Sequence, residues 1–300
     1  MGHMATALPI STDADRIATI TIEPNQGPMC ILDQPLIQRL KVTFETVREQ
    51  KPAGIVLASG SPRVFIAGAD LKSIAAMSQP ELENYLKYGQ EVFGLLCTMP
   101  CSTVAAVNGA VLGGGLEIAM HCDGLVAAPA PLKDGLPKPY PIGLPEAGLN
   151  ICPGWGGTNL LPARMDPADA LSRTATGKTM TIDQAAAAGL VSVAPSAERL
   201  HDAAKAWLRA NPNEAAKRRD GEPSRWIGRD MCRNRVESAF TAASESLGQT
   251  DHGRACMKAV GAGLEHGWAA ALEVERRELN RLRNEPAGKS AIDAFLNKAK

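Results

Sequence analysis

The stretch STVAAVNGAVLGGGLEIAMH, residues 102–121, decides how the chain is read. Ser102 to Asn108 form a short β-type run, and three successive glycines then precede a helical pattern. Glycines there leave backbone N–H groups unscreened at the start of a helix, where the dipole and the unpaired amides favour negative charge. Gly114 is therefore a candidate donor to an oxyanion, and Glu117 falls in the first helical turn beside the same ligand atom. Two plainer readings stand beside these: glycines that permit close helix–strand packing, and a glutamate that only complements the dipole.

Two further segments carry the same kind of chemistry. In FIAGADLK, residues 65–72, Gly68 sits between Ala67 and Ala69, so the N–H of Ala69 is open to a carbonyl oxygen. Taken alone, AGAD also reads as an ordinary loop. In GLPEAGLNICPGWGGTNLLPAR, residues 143–164, Glu146 follows Pro145 and precedes glycines expected to open a helical stretch at LLPAR. A lone glutamate after proline is commonly solvated. Two carboxylates in one water-poor pocket repel, however, so at least one would hold a proton near neutrality.

Outward from these motifs, short β-type runs alternate with helical patterns over the first two thirds of the chain. RIATITI, a helix from about Asp33, AGIVLAS, a helix from about Ser78, STVAAVN and DGLVAA follow one another, as in an α/β domain. Leu36, Leu40, Phe44 and Val47 recur at helical spacing and predict a core-facing helix. Ser78-Gln79-Pro80-Glu81 and Thr181-Ile182-Asp183-Gln184 are capping boxes; Pro100 is expected to close the first helix and Gly189 the second. From about Leu200 the strands stop, and Trp268, Leu272, Leu279 and Leu282 mark an apolar stripe. The expected organisation is a cloning remnant at 1–3, an α/β core at 4–199, and a helical region at 200–300 packing on the core or on a neighbouring subunit.

Composition excludes more than it suggests. With 300 residues, 45% hydrophobic, 21% charged and no formal net charge, the chain can bury a sizeable core and calls for no acidic or basic partner. Seven scattered cysteines, mostly in apolar runs, read as buried reduced thiols suited to a cytoplasmic location. His121-Cys122-Asp123 lacks a second ligand pair at zinc spacing, so no metal is expected. The N-terminus has no signal-peptide pattern, and no apolar run is long enough to span a membrane. Lys217 to Arg235 holds seven basic against three acidic residues and reads first as a solvated helical face, then as a contact for a ligand's phosphate, and last as an RNA site. Three tyrosines and five phenylalanines offer no base-stacking array, and no nucleic acid is expected. GAGLEHG, residues 261–267, lacks the context of a dinucleotide fingerprint.

FIAGADLK, NGAVLGGGLEIAMHCD, GLPEAGLNICPGWGGTNLLPAR and GKTMTIDQAAAAGLVS, in this order, resemble the signatures of the crotonase superfamily, specifically enoyl-CoA hydratases. The resemblance covers about Ile17 to Val193. More loosely, AVGAGLEHGWAAALEVERRELNRL and AIDAFLNK resemble the end of the hydratase part of multifunctional fatty-acid oxidation α-subunits. It implies a spiral of repeated ββα units with a C-terminal helical appendage, acting on acyl-CoA with no cofactor beyond the substrate's own coenzyme A. Ala69 and Gly114 then resemble the oxyanion-hole donors, Glu117 the base that activates water, and Glu146 the acid that protonates the α-carbon. Ala67, Gly68, Asp70 and Lys72 lie where the family's loop borders substrate. The family further implies a homo-oligomer, trimer or hexamer, with a thiolase or dehydrogenase partner if the chain comes from a multifunctional protein.

Hydration needs both carboxylates, whereas the family's isomerases manage with the second alone, so the pair favours a hydratase. The alternatives are a 3,2-enoyl-CoA isomerase or another crotonase-type acyl-CoA reaction, and a non-catalytic RNA-binding or assembly homologue. A proline-rich insertion between Asp123 and Glu146 is expected to reshape the acyl pocket, form an oligomer contact or extend a surface loop.

Overall fold

Pairs of strands separated by tight corners build this chain, because each corner carries the backbone from one sheet to a second before a helix begins. The structure, a computed structural model, describes residues 5–218 and 220–298. The remnant expected at 1–3 and Arg219 of the basic segment lie outside the described residues. The elements of the core are β1 (Ile10–Thr12), β2 (Ile17–Ile22), α1 (Gln34–Gln50), β3 (Gly54–Ser59), β4 (Val64–Ile66), α2 (Leu71–Ala76), α3 (Gln79–Gly94), β5 (Ser102–Val107), β6 (Ala110–Leu112), α4 (Gly114–His121) and β7 (Gly124–Ala127). There follow β8 (Leu132–Lys133), β9 (Leu136–Pro137), β10 (Pro141–Gly143), α5 (Gly157–Leu160), α6 (Pro167–Thr176), β11 (Met180–Thr181), α7 (Ile182–Ala187), β12 (Ser192–Val193) and α8 (Leu200–Ala210). The chain then runs through α9 (Arg233–Leu247), α10 (Asp251–His266), α11 (Trp268–Asn284) and α12 (Pro286–Lys298).

The larger sheet has the order β1-β2-β3-β5-β7-β12, parallel except for β1, and the smaller has β11-β10-β6-β4. Successive ββα turns thus give β3, β5 and β7 to one sheet and β4, β6 and β10 to the other. The corner at Asn108-Gly109 shows why: a Cβ on Gly109 would stand 2.1 Å from the carbonyl oxygen of Arg63. Both faces of the larger sheet are covered, as parallel strands require. Ile55, Leu57, Ala105 and Val107 face the main core, while Val56, Ala58, Val104 and Ala106 face Leu200, Ala204 and Leu208 of α8.

The helices form where capping and periodicity direct them. Asp33 accepts the Leu36 N–H at 2.8 Å and starts α1, which buries Leu36, Leu40, Phe44 and Val47 as its spacing predicts. Both capping boxes are present, at Ser78/Glu81 and Thr181/Gln184. α3 ends at Gly94, earlier than expected from Pro100, and a 3-10 turn at Leu95–Thr98 intervenes. Beyond PGWGG, the helix is Gly157–Leu160 and LLPAR is largely turn, since Pro162 has no N–H to continue it.

The helical end covers its own core: α11 packs on α3, and α12 on α2 and on the 3-10 turn Glu146–Leu149. The proline-rich insertion forms the β8–β9 hairpin, turned by Asp134 and Gly135 with φ of 54° and 77°, the positive values such a turn requires. The basic segment is not one solvated helical face. Much of it is turn, and Arg218 is fully buried, with Nε 2.7 Å from Oδ1 of Asp123. That pair accounts for Asp123, and all seven cysteines are buried and unpaired.

Candidate active site

The two glycine-rich turns meet because the end of β4 and the end of β6 are neighbours in the smaller sheet. After β4, the N–H of Ala67 donates to Cys30 O at 2.9 Å and that of Asp70 to Leu32 O at 3.2 Å, while Gly68 O accepts from Leu32 N at 2.9 Å. These bonds hold the AGAD segment and leave the Ala69 N–H without a backbone acceptor among the described residues. Gly68 has φ of +109°, a conformation that favours glycine, and its position lies against Leu112 O. Past β6, Gly113 has φ of +51° and donates to Gly143 O at 2.9 Å. α4 then starts at Gly114, whose N–H is among those a helix start leaves unpaired.

Glu117 lies one helical turn on and is buried. Its Oε1 accepts the N–H of Trp155 at 2.7 Å and that of Gly157 at 2.8 Å. Its Oε2 accepts no hydrogen bond among the described residues. Glu146 opens its 3-10 turn, and its Oε2 is buried without a partner. A Cβ on Gly113 would come within 2.7 Å of Glu146 Oε1, so the glycine turn and this carboxyl are in direct contact.

Ala67, Gly68, Ala69, Gly114, Glu117 and Glu146 all line one cavity of about 390 Å³. The rest of its wall is largely apolar, with Leu71, Ile74, Leu112, Ile151, Leu279 and Phe295. Asp70 and Lys72, the other expected substrate contacts, are not on that wall. The Asp70 carboxylate caps α2, accepting from Lys72 N at 3.1 Å and from Ser73 Oγ at 2.6 Å, and Lys72 is exposed. The β8–β9 hairpin does not reach the wall either; of the segment between Asp123 and Glu146 only Pro145 is on it, among the described residues.

Two participants escape a motif reading. Trp155 forms a side of the cavity, packs edge-on against Tyr85 and Phe93, and would be struck at 2.3 Å by a Cβ on Gly114. The three glycines therefore serve close packing as well as an open amide. Glu275 of α11 is fully buried and accepts from Gly156 N and from Thr158 N at 2.8 Å. It occupies the apolar stripe between Leu272 and Leu279, and a charge at such a position was the available signal.

Burial dominates the electrostatics. It raises Glu117 well above the ordinary carboxyl range, with repulsion from Glu275 and Glu146 adding to it. Burial likewise pushes Glu146 up to about 8 and Glu275 to about 7. Burial also lowers His121 to about 4, so its ring is neutral, with Nδ1 2.8 Å from Glu117 O. The site pairs two open N–H donors with two carboxyls of raised proton affinity, a set suited to stabilising an oxyanion while protons move.

A sequence profile described as enoyl-CoA hydratase/isomerase matches residues 13–218. Among solved structures, the fold is similar to an enoyl-CoA hydratase from Bacillus anthracis, with 22% identity, 98% of this chain and 97% of that one covered, and a TM-score of 0.59. It is similar to an enoyl-CoA hydratase from Bacillus halodurans, with 18% identity, coverage of 96% and 100%, and a TM-score of 0.66. The human mitochondrial delta3-delta2-enoyl-CoA isomerase matches with 19% identity, 98% coverage of both chains and a TM-score of 0.68.

Proposed function

The chain belongs to the enoyl-CoA hydratase/isomerase family, and from that premise we propose that it is a hydratase, adding water to trans-2-enoyl-CoA thioesters to give 3-hydroxyacyl-CoA. The observation that carries this reading is that Glu117 and Glu146 line the same cavity as the open amides of Ala69 and Gly114. The thioester oxygen sits between those two N–H groups. They draw electron density from the conjugated system, so the β-carbon becomes electrophilic, and each donor contributes roughly 3 to 4 kcal/mol to the enolate-like transition state.

Glu117 acts as the base once ionised: its raised proton affinity suits it to take a proton from water through Oε2, and the two amides on Oε1 partly offset the burial that disfavours its charge. Water oxygen bonds to the β-carbon, and the double-bond electrons move onto the thioester oxygen. Glu146, whose Oε2 has no donor to stabilise a negative charge, carries the proton and delivers it to the α-carbon as the carbonyl re-forms. Glu117 ends protonated and Glu146 ionised, and exchange with solvent resets both. The reaction requires no group beyond the coenzyme A of the substrate.

The test is incubation of the purified protein with crotonyl-CoA, following loss of the conjugated enoyl-thioester absorbance. Hydration is the expected result. Migration of the double bond in a 3-enoyl-CoA without hydration of crotonyl-CoA would move the assignment to the isomerases.

A further inference from the structure

Four consecutive amides, those of Trp155, Gly156, Gly157 and Thr158, are shared alternately between two buried carboxylates. Trp155 and Gly157 donate to Oε1 of Glu117, while Gly156 donates to Oε2 and Thr158 to Oε1 of Glu275. The Thr158 hydroxyl is a further partner of Glu275. Gly156, with φ of +103°, provides the change of backbone direction. We propose that Glu275 is a positioning residue for proton transfer, holding the Trp155–Thr158 turn so that its other two amides fix Oε1 of Glu117 and leave Oε2 to the cavity. The proposal rests on the hydratase reading for its chemistry and on geometry alone for the clamp.

A stability role accounts for this residue poorly. Leu272 and Leu279 flank it in an otherwise apolar stripe, and burying a carboxylate with no cation costs several kcal/mol that a leucine would not. A second fastening comes from Gln90 of α3, itself tied to α11. Gln90 Nε2 donates to Gly154 O at 2.8 Å and to Leu272 O at 2.9 Å, while Gln90 Oε1 accepts from Arg276. α11 therefore holds one end of the turn directly and the other through Gln90.

The clamp also sets the charge around the base. Glu117 is faced by Glu275 from α11, Glu146 from its 3-10 turn and the Tyr85 phenol from α3, with the neutral His121 ring below it on α4. Glu275 is faced in addition by the thiols of Cys152 and Cys256. No cation offsets the repulsion between the two glutamates among these groups.

The test uses the whole chain, in Glu275→Gln and Thr158→Val, with two readouts. The first is the position of the Glu117 carboxylate bands, which reports the hydrogen bonds on Oε1, read at the alkaline end of a difference-infrared titration with Glu117→Gln as the blank; the second is kcat and KM on crotonyl-CoA. Glu275→Gln exchanges one of the two acceptors that hold the turn for an NH2, so the Glu117 bands should shift to those of a more weakly hydrogen-bonded carboxylate and kcat fall on the order of 100-fold with KM little changed. Thr158→Val removes one of the three donors that tie the turn to Glu275, so the bands should shift the same way by less. If Glu275→Gln does not fold, Thr158→Val decides alone. Bands unmoved in the folded variants, with or without loss of rate, would overturn the proposal. Failure of the wild-type protein to hydrate crotonyl-CoA would instead sink the hydratase reading, and the infrared titration would still judge the clamp.

Discussion

Replacing Glu117 by glutamine isolates the proposed base with little change of shape. The amide oxygen can stand where Oε1 stands, accepting the Trp155 and Gly157 N–H groups at 2.7 and 2.8 Å, and its NH2 then takes the place of Oε2. Exchanging a charged acceptor for a neutral one weakens both bonds, but a desolvated charge disappears with it, so folding free energy should change by no more than about 2 kcal/mol. Catalysis is another matter, because an amide cannot take a proton from water. A general base is worth about 100- to 10,000-fold, or roughly 3 to 5 kcal/mol of barrier. Hydration of crotonyl-CoA, read from enoyl-thioester absorbance beside a urea denaturation curve, should fall by that factor in a protein that unfolds near the wild-type midpoint. A folded Glu117→Gln protein hydrating at close to the wild-type rate would refute the assignment of the base.

Three further outcomes follow from the same structure. Glu146 and Glu275 have folded pKa values raised from the ordinary 4.5 to about 8 and about 7, so the folded state holds their protons where the unfolded state has lost them. Their contribution to stability is therefore fully present below about 4.5 and is lost as pH rises to about 8; Glu146→Gln should gain on wild type across that window in denaturation curves, and a constant difference would count against the shift. Gly113→Ala forces a side chain into φ of +51° and against Glu146 Oε1, and should cost about 1 to 3 kcal/mol by thermal unfolding together with a loss of kcat; unchanged stability would deny the strain. Arg218→Met strands Asp123 without the guanidinium that binds it, and also leaves the carbonyls of Leu96, Cys97 and Cys101 short of a donor. The expected loss is about 3 to 5 kcal/mol, and a loss under about 1 kcal/mol would show that the buried pair is dispensable.

Local rules made much of this molecule readable in advance. Asp33, Ser78 and Thr181 start helices because their side chains reach the amide three residues on, an interaction contained within a few positions of sequence. Ala69, Gly114, Glu117 and Glu146 stood out less surely: glycines beside them expose backbone, but read locally AGAD is also an ordinary loop and Glu146 a solvated residue, and their roles came from the resemblance to the crotonase superfamily. Where one local rule competed with another, or with long-range packing, the first reading misled. The helix expected at LLPAR moved upstream to Gly157–Leu160, Asp70 went to cap α2, and Arg218 left its basic segment to pair with Asp123, 95 residues earlier.

The order of strands and helices, their caps, and the residue types able to hold an oxyanion and move protons are written in the chain itself, since they depend on φ/ψ preference and neighbouring side chains. Tertiary structure alone decided that α11 returns to bury Glu275 behind the PGWGGT turn, and that three carboxyls share one low-dielectric region. Those outcomes depend on how far water is excluded and on which amides face which oxygens, and no spacing along the sequence encodes either.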